Sequence, residues 1–298
     1  MEYIKLNDKI SFSRIIQGLW RIDSWNLSDE ELLNFIKECI KRGVTTFDIA
    51  EIYGNYECEK IFGRALALDS SIRSKIQIVS KTGINMKSNK RDYEIGHYDS
   101  RYDKIIASTK ASIANMNCKY LDVLLIHRED PCIDPYEVAR AFNDLTNDGL
   151  ILGGGVSNFD PFKMDALNYA YDYKLVTNQI ELNPTVFEHF DSGMIDYLCK
   201  YKIKPMIWCP LAAGKLFTSD FEPYVQVRKV LETIANKHQT KAEIVAFAWL
   251  MYHPMKAMPI SGSSKLERLD NAIAALDLKL THEEWYKIYL ATNERELR

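Results

Sequence analysis

Short apolar, β-branched runs alternate eight times with longer segments of helical period, and this alternation restricts the fold more than any other feature of the chain. The runs fall at 13–19, 45–50, 76–81, 121–127, 151–156, 176–181, 204–210 and 256–260. After the first run, Ser28 and Glu31 form a capping box. Leu32, Phe35, Ile36, Cys39 and Ile40 then recur at helical spacing, and Gly43 stops the helix. The same reasoning predicts helices over 58–68, 102–116, 135–147, 161–171, 194–201, 224–238, 242–252 and 266–276, with a last one starting at Thr281. Strand–helix units in tandem imply parallel strands. Eight of them in 298 residues predict an α/β chain folded as a closed (β/α)8 TIM barrel, one domain over 1–298. A doubly wound open sheet is the competing architecture. It normally opens with a Gly-rich turn after its first strand, and Gly18-Leu19-Trp20-Arg21 is not one. Alternation around Asn7-Asp8 predicts a short N-terminal hairpin over 4–13. The longest irregular stretch, 83–101, is longer than a plain connection and is expected to serve function.

Composition narrows the function classes. A net charge of −3 supplies no basic field for nucleic acid or an anionic membrane. No apolar run is long enough to span a bilayer, and the first residues carry no apolar signal core. The six cysteines include no C-x-x-C spacing. They predict reduced thiols in a cytoplasmic protein and no metal site.

In a barrel of this kind the reactive groups stand where strands end. Those ends carry Asp48 with Tyr53 five residues on, Lys81, His127, Ser157 with Asn158, Gln179, and Trp208. Each has an ordinary structural reading: an N-cap aspartate, a packing tyrosine, a solvated lysine, a core histidine. Their co-occurrence points elsewhere. Three successive strands deliver ionisable groups to one rim, and Asp48 and Lys81 carry opposite charges in apolar segments, so they are expected to face each other. A phenol titrates near 10. A neighbouring ammonium favours the phenolate, so Lys81 is expected to lower the Tyr53 pKa, with Asp48 holding Lys81. His127 is placed to hydrogen-bond a substrate oxygen. The set describes a positioned general acid beside a carbonyl site.

The segment Asp48-Ile49-Ala50-Glu51-Ile52-Tyr53-Gly54 resembles the aldo-keto reductase signature. Val79-Ser80-Lys81, Leu124-Leu125-Ile126-His127, Gly155-Val156-Ser157-Asn158-Phe159 and Thr177-Asn178-Gln179 match further segments of that family. Ile95-Gly96-His97-Tyr98 and His127-Arg128 with Asp130-Pro131 are similar to its bacterial YdhF-like branch. The resemblance implies NADP(H) lying across the barrel mouth. Ser157, Asn158 and Gln179 would hold the nicotinamide carboxamide and Trp208 would stack on its ring. The turn with Leu211, Ala213, Lys215 and Leu216 would meet the pyrophosphate, and Ser263, Ser264 and Arg268 the 2′-phosphate. The chain departs from the family after the eighth strand. Ser264 stands for an early cation, and the family's Glu-Asn pair falls on Asn271 and Ala272.

On the substrate side, Trp20, Tyr53, His127 and Arg128, with some part of 83–101, are expected to shape the pocket, and Arg128 either attracts an anionic or polar group or pairs with Asp130. The chain ends at Arg298 soon after its last helix, which predicts an open site. The primary expectation is reduction of a small-molecule aldehyde or ketone, with Tyr53 giving the proton. An NADP(H)-binding redox-sensing module with little turnover is the alternative. A hydrolase built on Asp48 and Glu51 is disfavoured, because one short segment does not place two carboxylates on either side of a scissile bond. No apolar seam in the sequence specifies an oligomer.

Overall fold

The computed structural model describes residues 1–292. Residues 293–298, with the Arg298 end on which the open-site expectation rests, lie outside the described residues. The chain opens with the expected hairpin, β1 (Tyr3–Lys5) paired antiparallel with β2 (Ser11–Ser13). Its turn is set by Asn7, whose Oδ1 accepts from the amides of Lys9 and Ile10, both at 2.8 Å. Then come β3 (Ile16–Gly18), α1 (Asp29–Lys41), β4 (Thr46–Asp48), the short α2 (Tyr53–Tyr56), α3 (Cys58–Ala67) and β5 (Gln77–Thr82). The 83–101 stretch carries a small antiparallel ribbon of its own, β6 (Ile84–Asn85) with β7 (His97–Tyr98), which the sequence pattern does not show. Next are α4 (Tyr102–Asn115), β8 (Leu121–Ile126), α5 (Pro135–Asn147), β9 (Ile151–Ser157), α6 (Pro161–Ala170) and β10 (Asn178–Glu181). The chain goes on through α7 (Glu188–Asp191), α8 (Met194–Tyr201), β11 (Met206–Trp208), α9 (Lys215–Thr218), α10 (Glu222–Lys237) and α11 (Ala242–Tyr252). It ends on β12 (Met258–Ser261), α12 (Leu266–Ala274) and α13 (His282–Tyr289).

Strands β3, β4, β5, β8, β9, β10, β11 and β12 close in that order into a parallel barrel, with β12 pairing back onto β3. The capping box at α1 forms as the sequence predicts: the Ser28 side chain accepts from the Glu31 amide, and the Glu31 side chain accepts from the Ser28 amide. The first strand is shorter than its apolar run because Ser13 belongs to the hairpin. There its Oγ accepts from the amides of Thr45 and Thr46 and ties the hairpin to the barrel.

The alternation of strand side chains separates two cores. Ile16, Val79, Val123, Leu125, Met206 and Met258 fill the barrel interior together with Ile4, Ile10 and Phe12 of the hairpin, which plugs one end. Phe47, Ile78, Leu124, Ile126 and Ile180 face the helices instead. Burying a side chain such as Phe12 contributes roughly 1.5–3 kcal/mol. The inward parity that buries Val79, Leu125 and Met206 continues two residues on to Lys81, His127 and Trp208. Outward Phe47 likewise turns Asp48 inward.

Candidate active site

The tips of β4, β5 and β8, adjacent in the barrel, converge on one buried cation. Lys81 Nζ donates to Asp48 Oδ2 at 2.8 Å, to the Ile49 carbonyl at 2.8 Å and to Tyr53 Oη at 3.2 Å. The Lys81 side chain is 0% exposed and that of Asp48 5%. Gln179 Nε2 donates to the other oxygen, Asp48 Oδ1, at 2.7 Å. That bond ties β10 to β4 across the barrel, and no local sequence signal announces it. Removing one partner of such a buried pair leaves the other charge uncompensated, at about 3–5 kcal/mol. Because Lys81 donates to Oη, the phenolic hydrogen of Tyr53 is left for another acceptor.

Tyr53 is presented by an unusual turn. Gly54, Asn55 and Tyr56 all have left-handed backbone, with φ of 56°, 53° and 68°. A Cβ on Gly54 would stand 2.6 Å from Cys58 Sγ and 2.9 Å from Asp23 Cγ, so the turn requires glycine there. The Tyr53 ring lies edge-on to His127, with centroids 5.7 Å apart, and 6.4 Å from the ring of Trp20.

The electrostatics correct one expectation. Burial pushes the Tyr53 phenol above its ordinary value of 10. Lys81 opposes the rise without overcoming it, so the predicted lowering does not occur. Burial also works against the Lys81 ammonium, but Asp48 and Tyr53 outweigh it and raise its pKa. Burial, with Lys81 and Arg128 beside it, holds His127 well below 6.5 and therefore neutral near pH 7.

These groups line one end of a cleft of about 540 Å³ across the barrel mouth. Of the residues expected there, Trp20, Asp48, Tyr53, His127, Arg128, Ser157, Asn158, Gln179, Trp208, Leu211, Ala213, Ser263 and Arg268 line it. Lys81 sits beneath Tyr53, while Lys215 and Ser264 are exposed away from the lining, and the Leu216 side chain belongs to the core. Ser157, Asn158 and Trp208 form a chain. Trp208 Nε1 donates to Asn158 Oδ1 at 2.8 Å, Asn158 Nδ2 to Ser157 Oγ at 2.8 Å, and Ser157 Oγ to the Gln179 carbonyl at 2.9 Å. Trp20 is 55% exposed on the cleft rather than packed into a core. The Asp130 pairing weighed for Arg128 does not form. Asp130 accepts from the Ser100 and Cys132 amides, and the Arg128 guanidinium lies 5.4 Å from the Trp208 ring centre.

The 83–101 stretch contributes Ile84 and Met86 to the lining, while Arg21, Ile52, Asn55, Glu243 and Phe247 were missed in the sequence. Ile52 and Asn55 flank Tyr53 and were within reach of the motif. Glu243 and Phe247, one turn apart on α11, gave no signal. Asn271, which stands for the family's acid, donates through Nδ2 to Glu243 Oε2 at 2.9 Å, so a carboxylate reaches the cleft from α11 instead. At the same end the Arg268 guanidinium makes no ion pair or hydrogen bond among the described residues, which leaves it free for an anion.

Known proteins agree with this geometry. The Aldo/keto reductase family model matches residues 14–291. The chain is similar to the oxidoreductase YdhF of Escherichia coli strain K12, at 40% identity over 93% of this chain and 92% of the relative. It is also similar to a 6-dehydroglucose reductase of Agrobacterium fabrum, at 36% identity over 100% of both chains. Among solved structures, a thermostable aldo-keto reductase in complex with the inhibitor epalrestat aligns with TM-score 0.82 at 25% identity, covering 97% of this chain and 99% of that one. A closed barrel, a tyrosine–lysine–aspartate–histidine cluster at its mouth and a match over nearly the whole chain give one conclusion: this protein belongs to the aldo/keto reductase family of nicotinamide-dependent oxidoreductases.

Proposed function

We propose that the protein reduces an aldehyde or ketone to an alcohol with NADPH, and that Tyr53 is the general acid. The observation that carries this reading is Lys81 Nζ bonded at once to Asp48 and Tyr53 in a cleft shared with His127. Bound NADPH supplies the hydride, from C4 of its nicotinamide. Neutral His127 donates a ring N–H to the carbonyl oxygen and orients it. The Tyr53 phenol, kept protonated at neutral pH by burial, gives its proton to that oxygen. The phenolate so formed is stabilised by the ammonium of Lys81, which Asp48 and the Ile49 carbonyl hold in place. Trp208 and the Asn158–Ser157 chain flank the place for the nicotinamide. Arg268 and Ser263 suit the 2′-phosphate, which makes NADP(H) the preferred cofactor. All six cysteines are free, and we assign the protein to the reducing cytoplasm.

The test is oxidation of NADPH against a panel of small carbonyls, including a sugar aldehyde because one relative is a 6-dehydroglucose reductase. Wild type should turn over part of the panel while Tyr53→Phe does not; equal rates for the two would sink the mechanism.

A further inference from the structure

Arg128 follows His127 directly at the end of β8 and lines the reactive end of the cleft. It is half-buried, yet among the described residues it makes no hydrogen bond and no ion pair; its contact is the face of Trp208. Its acidic neighbours in sequence are taken. Glu129 accepts from Lys163 Nζ and from the Asp160 amide, and Asp130 from two backbone amides. Glu181 feels the Arg128 charge but forms no ion pair with it. A guanidinium that no protein oxygen engages is free to bind an acceptor placed beside it, with charge-assisted hydrogen bonds. The cofactor's phosphate is not that acceptor. In the ring of strands β8 lies opposite β12, after which Ser263 and Arg268 come, so the two arginines bracket the mouth from opposite sides. The partner must therefore come from the substrate. It must also lie close to the reacting carbonyl, because Arg128 is the next residue after His127 and lines the same end of the cleft as Tyr53 and His127. Trp20, Ile52, Ile84 and Met86 supply apolar wall for the rest of the molecule.

We propose that Arg128 makes the site selective for carbonyl compounds whose neighbouring carbon is a carboxylate or carries a hydroxyl, over plain alkyl aldehydes and ketones. This rests on the reductase reading above. The planar fork of arginine matches a carboxylate with two parallel bonds and a hydroxyl with one, so the carboxylate is preferred.

Three ketones of one skeleton separate the cases: methyl ethyl ketone, the same ketone hydroxylated on its methyl carbon, and the same ketone with that carbon oxidised to carboxylate. Propanal serves as the control for turnover. With wild type, kcat/KM for the carboxylated ketone should exceed that for methyl ethyl ketone by about tenfold to a hundredfold, and for the hydroxylated one by about fivefold. In Arg128→Gln both ratios should fall towards one. Arg128→Lys keeps charge without the fork, and should retain part of the carboxylate ratio and little of the hydroxyl ratio. Melting curves and NADPH fluorescence titration of each variant check that it is folded and loaded. Equal use of the three ketones by wild type, or ratios that survive in a folded Arg128→Gln, would overturn the selectivity. Failure of wild type to reduce propanal or any of the ketones would overturn the reductase reading beneath it.

Discussion

In the mechanism proposed above, the chemistry depends on one proton, that of Tyr53 Oη, and on the three groups that fix its energy. Replacing Tyr53 by Phe removes the acid and nothing from the cofactor cleft floor. Turnover of a carbonyl should fall by about 10²–10⁴ while NADPH still quenches intrinsic fluorescence at similar concentration. The sign of the pH dependence follows from the directions of the shifts. Tyr53 works in its protonated form, and its pKa is raised above 10 by burial, so kcat/KM for reduction should stay level through neutral pH and fall only as pH rises through that raised value. His127 works as the neutral ring, and its pKa is depressed by burial and by two cations, so no loss should appear near pH 6.5 as the solution is made acid. A rate that halves between pH 7 and 8 would contradict the assignment of Tyr53. The sequence made these four residues legible because their types and order form a pattern. It misjudged the phenol's direction because depth of burial is a property of the packed barrel, not of neighbours along the chain.

Two connections between elements have measurable weight. Tyr56 Oη accepts from the Met86 amide at 2.8 Å and donates to the Met86 carbonyl at 3.3 Å. This clasp joins the turn after Tyr53 to the 83–101 stretch, which carries Ile84 and Met86 to the cleft. Tyr56→Phe removes both bonds, at about 1 kcal/mol. We expect KM for the carbonyl to rise about fivefold with a smaller change in kcat, and limited proteolysis to cut within 83–101 sooner than in wild type. The second connection is between helices. A Cβ on Gly63 of α3 would lie 2.0 Å from the Asn115 carbonyl oxygen and 2.7 Å from Met116 Cα at the end of α4. Backbone does not yield as a flexible side chain does, so Gly63→Ala should cost about 1–3 kcal/mol. It should lower the melting temperature by roughly 2–4 °C for each of them; an unchanged melt would show that the two helices separate freely. The longer helices were readable from period and caps, whereas the short α2, α7 and α9 and the ribbon inside 83–101 were not, since elements of four or two residues hold too little of a period.

At the scale of the molecule, barrel closure turns residues distant in sequence into two ends of one cleft. The reactive end gathers Tyr53, Lys81 and His127 from neighbouring strands; the far end holds Arg268 and Ser263 after β12 and Glu243 from α11. If Arg268 meets the 2′-phosphate, Arg268→Gln should raise KM for NADPH about tenfold or more and leave KM for NADH little changed. Parallel loss for both cofactors would place the guanidinium elsewhere. The sequence by itself determined the barrel and its strand order and singled out the candidate site residues, because hydrophobic period and strand-end motifs are local to each stretch of chain. It also carried the notice that Asn271 and Ala272 depart from the family pattern. Only the tertiary structure decided that Gln179 braces Asp48, that Asn271 holds a carboxylate of α11 at the cleft, and that the Arg128 guanidinium lies over Trp208 without an ion pair among the described residues. Those contacts join residues on separate elements brought together when the sheet closes. Which partner a charge finds there is set by burial and geometry, quantities that no stretch of chain contains.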